Sequence, residues 1–171
     1  MPTKIIQQKI KAYRHLISKS NLFAILQLLF SRSDVQRSII LTIQDRLYLT
    51  GKDKYEKQLT TDATFRRLNQ NKFYSDFTVF LKKQSFARTQ NVTLFNEGNF
   101  YKSFDSKTSA NEFSITADFK KIYDNFERTY TSKEKFENAI LGMTDVERWA
   151  FLSVELLPLI LFELKTEMNR I

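Results

Sequence analysis

Glycine and proline are so scarce that they set the outline of the fold. Only three glycines (Gly51, Gly98, Gly142) and two prolines (Pro2, Pro158) occur in 171 residues. Tight turns lean on these two residue types, so a many-turned β-sandwich is a poor fit and long helices are favoured. Core material is ample, with 16 Phe, 7 Tyr and 1 Trp. Hydrophobic residues make up 42% and charged residues 27%, a globular and not a disordered composition. The length fits one domain with an added helical arm.

The first 50 residues read as two or three helices. Pro2 sits near a helix start, where its missing N–H costs nothing. Ile5, Ile6, Ile10, Tyr13, Leu16 and Ile17 then fall on one helical face. Ser20-Asn21 is expected to break and recap the chain before the apolar stretch Leu22 to Phe30. Ser33 or Asp34 is the candidate N-cap of the next helix. Its Val35, Ile39, Ile43 and Leu47 recur every four residues, and Gly51 supplies the stop. Further on, Phe113, Ile115 and Ala117 alternate with polar residues after a turn-like Lys107 to Asn111, so a β-hairpin is expected over about 103–119. Gly142 closes a short helix around Lys133 to Leu141. Thr144-Asp-Val-Glu147 has the form of a capping box opening a long C-terminal helix. In that helix Val146, Trp149, Ala150, Leu157, Ile160, Leu161, Leu164, Met168 and Ile171 recur at spacings of three and four, a stripe expected to pack mostly on the core. Pro158 is expected to kink or break it. The fold class expected is therefore α+β: N-terminal helices, a small antiparallel sheet and a long C-terminal helix.

Several chemistries lack their residues. With no Cys, disulfides, thiolate metal sites and Cys nucleophiles are excluded. The one His, His15, lies in a basic helical stretch and reads as a surface residue, not a base or ligand. Gly51-Lys-Asp lacks the glycine and strand of a phosphate loop, and no Gly-x-Ser-x-Gly elbow occurs. Carboxylates stand among lysines, as Glu134 and Glu137 do, where solvated surface is the default. The chain is accordingly expected to be no enzyme and to hold no cofactor or metal. The most apolar run, Trp149 to Phe162, holds Glu155 and Pro158 and falls short of the roughly 20 residues that cross a bilayer. Leu22 to Phe30 follows a basic stretch but contains Gln27 and ends in Ser31-Arg32, so it reads as an amphipathic helix and not an export signal.

Charge is uneven along the chain. Residues 1–90 hold 17 Lys and Arg against 6 Asp and Glu; residues 91–171 hold 10 against 13. Such asymmetry suits nucleic acid beside the N-terminal half, head-to-tail packing of copies, or simply a solvated basic helix. The stretch Lys52 to Asn91 shows no core-facing period and reads as a long loop with short elements, of a length that is unusual unless it works at an interface. Its Tyr55, Phe65, Phe73, Tyr74, Phe77, Phe80 and Phe86, interleaved with Lys72, Lys82, Lys83 and Arg88, are candidate contacts to a partner. The same mix of bases and rings suits phosphates and stacked nucleobases, so a nucleic-acid-binding accessory protein is the alternative reading.

Five blocks carry a resemblance. Gln44-Asp-Arg-Leu47-Tyr48-Leu-Thr-Gly51-Lys-Asp53 comes first, and Tyr74-Ser75-Asp-Phe-Thr78-Val-Phe-Leu-Lys82-Lys83 second. Val92-Thr93-Leu94 then leads into Gly98-Asn-Phe100-Tyr101-Lys-Ser103-Phe104. The hairpin candidate ends Ile115-Thr116-Ala117-Asp118, and Leu141-Gly142-Met-Thr144 opens the last helix. In order and spacing, about residues 35–171 resemble the virion-morphogenesis and tail-completion (head–tail connector) proteins of tailed bacteriophages, in the type carried by phages of Bacteroidetes. Three departures stand out. A second glycine usual after Gly51-x-Asp53 is replaced around Glu56, a Thr usual before the central glycine is Glu97, and the Gly-Gln-Pro turn usual before Val-Thr-Leu is absent, with Ser85 to Asn91 there instead. Residues 1–34 have no counterpart.

The resemblance implies an N-terminal helical extension, 1–34, before a connector-like α+β domain, 35–171. It implies a structural role in the virion, in a ring of copies at the portal–tail junction, with the portal and other neck and tail proteins as partners and the host cytoplasm as the site of assembly. Packaged DNA is a further partner that the charge permits, through non-specific phosphate contacts. No membrane partner is implied. Gly51, Asp53, Thr93, Leu94, Gly98, Phe100, Tyr101, Ser103 and Phe104 would be scaffold: Gly98 allows a tight turn, and the three rings after it fix a short helical turn to the sheet.

Overall fold

The computed structural model describes residues 19–59, 92–94, 98–109, 112–120, 122–126 and 129–168, together with 7, 8, 11, 14, 80, 82 and 83. Its elements run α1 (Lys19–Ser31), α2 (Ser33–Leu49), α3 (Asn99–Lys102), β1 (Asp105–Thr108), β2 (Phe113–Thr116), a 3-10 turn (Tyr123–Asn125), α4 (Lys133–Leu141) and α5 (Asp145–Ala150). A π-helical segment (Phe151–Leu156) and α6 (Leu157–Met168) complete the order. Helices with one two-stranded antiparallel hairpin make the fold α+β.

The described chain forms two compact units, neither continuous in sequence. The first takes Met1–Ser38, Lys107–Ser114 and Arg148–Ile171; the second takes Ile39–Ser106 and Ile115–Glu147.

In the first unit α1 packs on α6. Leu29 is fully buried, and the Phe30 ring meets Phe113 at 5.2 Å and Phe151 at 6.5 Å. Gln36 ties this cluster together by donating to the Phe30 carbonyl (2.8 Å) and to Thr108 Oγ1 (3.1 Å). Thr108 donates to the same carbonyl, which has lost its helical partner at the end of α1. Ser20 and Asn21 are themselves helical, inside α1, and residues 15–18 before them lie outside the described residues. The apolar run that follows, buried through Leu29, holds the helix together and overrides their local preference for a turn. The start of α2 is capped unconventionally, with the Asp34 carboxylate accepting both the Val35 N–H and the Arg32 guanidinium.

The second unit has the larger core. Ile39, Ile43 and Leu47 are buried, as the every-fourth spacing requires, and Val35 is buried at the other end of the same stripe. Gly51 ends α2 with φ 63°, a left-handed conformation that suits glycine. Around Phe136 an aromatic cluster closes the core, with Phe126 stacked at 4.9 Å, Tyr130 at 5.0 Å and Phe119 at 5.5 Å. Ser132 caps α4 by accepting from Lys135 N, and Gly142 ends it in extended backbone. The hairpin lies inside the expected 103–119, but Lys107 and Thr108, expected in the turn, belong to β1, and Ser109 N–H donates to the Glu112 carbonyl between the strands.

The C-terminal helix departs most from expectation. Helical backbone continues through Pro158, but the regular α-helix is interrupted just before it by the π segment Phe151–Leu156. The π segment just before relaxes the backbone where Pro158 can offer no N–H, and the helix runs on to Met168. The expected core stripe is largely outside: Val146, Trp149, Ala150, Leu157 and Leu161 are exposed, and Ile160 and Leu164 are half-buried. Met168 and Ile171 lie beyond the described side chains. Phe151 and Leu156 are what this helix buries. The reason is that its sequence is apolar on nearly every side, so periodicity alone does not choose which side faces in.

Candidate functional site

The densest arrangement of polar chemistry lies in the second unit, where α2 gives way to the turn Gly51 to Leu59. Asp53 is 1% exposed. Its Oδ1 accepts the backbone N–H groups of Tyr55 (2.9 Å) and Lys57 (3.0 Å), and its Oδ2 accepts the Tyr130 hydroxyl (2.9 Å). A carboxylate so placed holds its own loop shut. The loop is pinned further by an antiparallel bridge between Lys52 and Gln58, and by Lys54 N–H donating to the Ala139 carbonyl at 2.8 Å. Gly142 belongs to the same seam: a Cβ there would come within 2.3 Å of the Lys54 side chain. Within the turn, Glu56 has φ 60°, a left-handed conformation that a side chain makes costly.

Arg46 fills the space beneath. Its guanidinium donates to the carbonyls of Lys52 (2.5 Å), Gly142 (2.7 Å) and Ile140 (3.2 Å). Its Nε stands 3.1 Å from Glu147 Oε1, a charge contact whose angle is not that of a hydrogen bond. The other Glu147 oxygen takes the Thr144 N–H at 2.7 Å, and Thr144 Oγ1 takes the Glu147 N–H at 3.1 Å, which is the capping box read from sequence. One carboxylate thus serves a helix N-terminus and a buried cation together. Burial pushes the Arg46 guanidinium below its ordinary pKa, with Glu147 and then Asp53 pulling it back. Burial, and then the hydrogen bond to Asp53, push the Tyr130 phenol up. Each polar group here is spent on backbone or on another member of the network, so the arrangement is a staple between α2, the turn, α4 and α5.

The block from Val92 to Phe104 is also inward where it is described. Gly98 takes φ 78° immediately before α3, which lets the chain reverse. Phe100 is buried, with Phe104 at 5.1 Å and Phe119 at 5.2 Å. Tyr101 stacks on Phe104 at 6.3 Å, meets Tyr48 edge-on at 6.4 Å, and donates its hydroxyl to the Thr93 carbonyl. Thr93 is 1% exposed, and Leu94 next to it has φ 53°. Ser103 Oγ donates to the Phe100 carbonyl (2.7 Å) and accepts the Asp118 N–H (2.9 Å), joining α3 to the end of the hairpin. The nine motif residues all fall in the second unit, where Asp53, Thr93 and Phe100 are buried and Tyr101 and Ser103 bond inward.

Of the candidate partner contacts, Tyr55 is 71% exposed and Phe80 56% exposed. Lys83 is exposed and Lys82 half-buried, both in helical backbone. Phe65, Phe73, Tyr74, Phe77, Phe86 and Arg88 lie outside the described residues. Among the described residues no group of His, Asp and Glu could hold a metal ion. No described helix is long and apolar enough to cross a membrane. Arg46 and Tyr130 went unread in the sequence. Arg46 lies three residues beyond Ile43 and so flanks the buried stripe, but nothing local reveals the three carbonyls that gather on it.

Compared with known proteins, the chain matches no family model, no curated protein and no solved structure.

Proposed function

We propose that this chain is a structural, non-enzymatic component of a tailed-phage virion, a neck or tail-completion protein that forms a ring where the portal meets the tail. Its partners on this reading are further copies of itself, the portal and other neck or tail proteins, with packaged DNA touched at most through phosphates.

The observation that carries the reading is the backbone of Glu56. The resembling proteins keep a glycine at about this place in the turn after Gly51-x-Asp53. Here the residue has changed, yet the left-handed conformation that glycine serves is present, at φ 60°. A loop shape kept at the expense of strain is what common descent of that block would leave behind. The spending of Asp53, Thr93 and Ser103 on internal hydrogen bonds agrees with a scaffold that offers surfaces and not chemistry. Tyr55 and Phe80 supply such surface, since exposed aromatics are favoured interface anchors.

Mass spectrometry of gradient-purified particles tests the reading. The chain should copurify with the portal in a fixed ratio. Its absence from mature particles, while abundant in infected cells, would defeat a structural role.

A further inference from the structure

The C-terminal helix carries an exposed ridge that stands apart from its buried residues. Trp149, Ser153, Leu157, Leu161 and Lys165 follow one another at every fourth position, and all five are exposed. In an α-helix four residues overshoot one turn by about 40°, which would carry such a row round the helix. The π segment between Phe151 and Leu156 turns more slowly and offsets part of that drift, so the five residues stay within about a quarter turn of one another. Leu152, Val154 and Phe162 flank it and are exposed too. The opposite side of the same helix is already occupied by the buried Phe151 and Leu156. A helix apolar on both sides is suited to be covered on both.

We infer that a second copy of this chain covers the ridge, in antiparallel orientation about a two-fold axis at Leu157. The row is its own complement in that register. Trp149 meets Lys165 of the other copy, a cation over an indole face. Ser153, the one small residue, meets Leu161, so a knob finds a hole, and Leu157 meets its symmetry mate. Burying Ser153 leaves no orphan, because its hydroxyl already donates to the Trp149 carbonyl at 2.7 Å. No acidic side chain lies on the ridge. Trp149 is 72% exposed, Leu161 56% and Leu157 48%, and with the flanking side chains the patch is on the order of 500 Å². Doubled across a two-fold axis, it reaches the lower range of about 1,000–1,200 Å² for a specific interface. This pairing is isologous, distinct from the contacts that close a ring, and it stands or falls independently of the virion reading.

Trp149 is the sole tryptophan, so its emission reports this face alone. The experiment follows the tryptophan emission and the light-scattering mass of the purified full chain across a concentration series. A concentration-dependent blue shift that tracks a doubling of mass is expected. Ser153→Leu sets two leucines against each other and should weaken pairing about tenfold or more, while the chain keeps its circular dichroism. The double variant Ser153→Leu, Leu161→Ser restores the knob and hole with the sides exchanged, and should regain the dimer. A monomer with water-exposed emission at every concentration overturns the proposal. So does a blue shift that appears only when lipid vesicles are added, or a dimer indifferent to Ser153→Leu.

Discussion

At the scale of single residues, a few groups sit in costly states. Glu56 is exposed and adopts φ 60° without the freedom of glycine. Glu56→Gly relieves the left-handed strain but loosens the unfolded chain, and the two effects leave a net gain of about 0.5–1 kcal/mol. A rise in the urea midpoint with unchanged slope checks it, and a fall would mean the side chain contributes more than it costs. Tyr130 gives a pH signature. Its phenol is pushed up in the folded protein by burial and by Asp53. Above pH about 10 the unfolded chain therefore releases this proton while the folded chain keeps it. The unfolded state then binds fewer protons, and stability falls as pH rises through that point. Tyr130→Phe should cost about 1–2 kcal/mol at neutral pH by removing one of the bonds to Asp53, and should flatten the alkaline decline. Denaturant melts of both proteins between neutral pH and about pH 11 read the difference directly. Residues of this kind were legible only in part. Gly51 stands out because a helix end needs it, and Asp53 only through the resemblance of its block. Arg46 and Tyr130 do not, because Asp53 for Tyr130, and Ile140, Gly142 and Glu147 for Arg46, are more than 70 positions away in sequence.

At the scale of elements, periodicity succeeds where one face is wet and fails where both are apolar. The stripe of α2 has polar residues between the apolar ones, and burial follows its spacing; in β2 the alternation marks a strand but not its burial, since Phe113, Ser114 and Ile115 are all half-buried. The capping box of α5 was readable for a similar reason: its residues need only their own helix. The C-terminal helix has apolar residues on all sides, and a π segment that no propensity signals re-phases it. Its inward side was misread accordingly. Within α3 the prediction concerns Phe100, buried and ringed by Tyr101, Phe104 and Phe119. Phe100→Ala should cost about 3–5 kcal/mol, as core phenylalanines do, and half-buried Phe104→Ala less. Thermal melting ranks them. Equal melting temperatures with lost assembly would move these rings from scaffold to interface.

At the scale of the whole molecule, two units are built from interleaved stretches of chain. Composition correctly favoured helices over a many-turned sandwich, because three glycines allow few sharp reversals, and two of them occupy left-handed positions where the chain turns. The interleaving itself was not legible, since α2, the hairpin and α5 each pass from one unit to the other without a change in local pattern. The functional account also lives at this scale. It holds that the network around Asp53 and Arg46 is scaffold, and that the chain works through its surface, as one of several copies at the portal–tail junction. If so, Tyr55, exposed beside that scaffold, lies against a neighbour in the particle. Cryo-electron microscopy of the particle's neck is the most direct measurement. The account predicts density between portal and tail into which this chain can be traced in repeated copies, with the Gly51 to Leu59 turn at a subunit contact. A neck in which every segment of density belongs to other chains would contradict it.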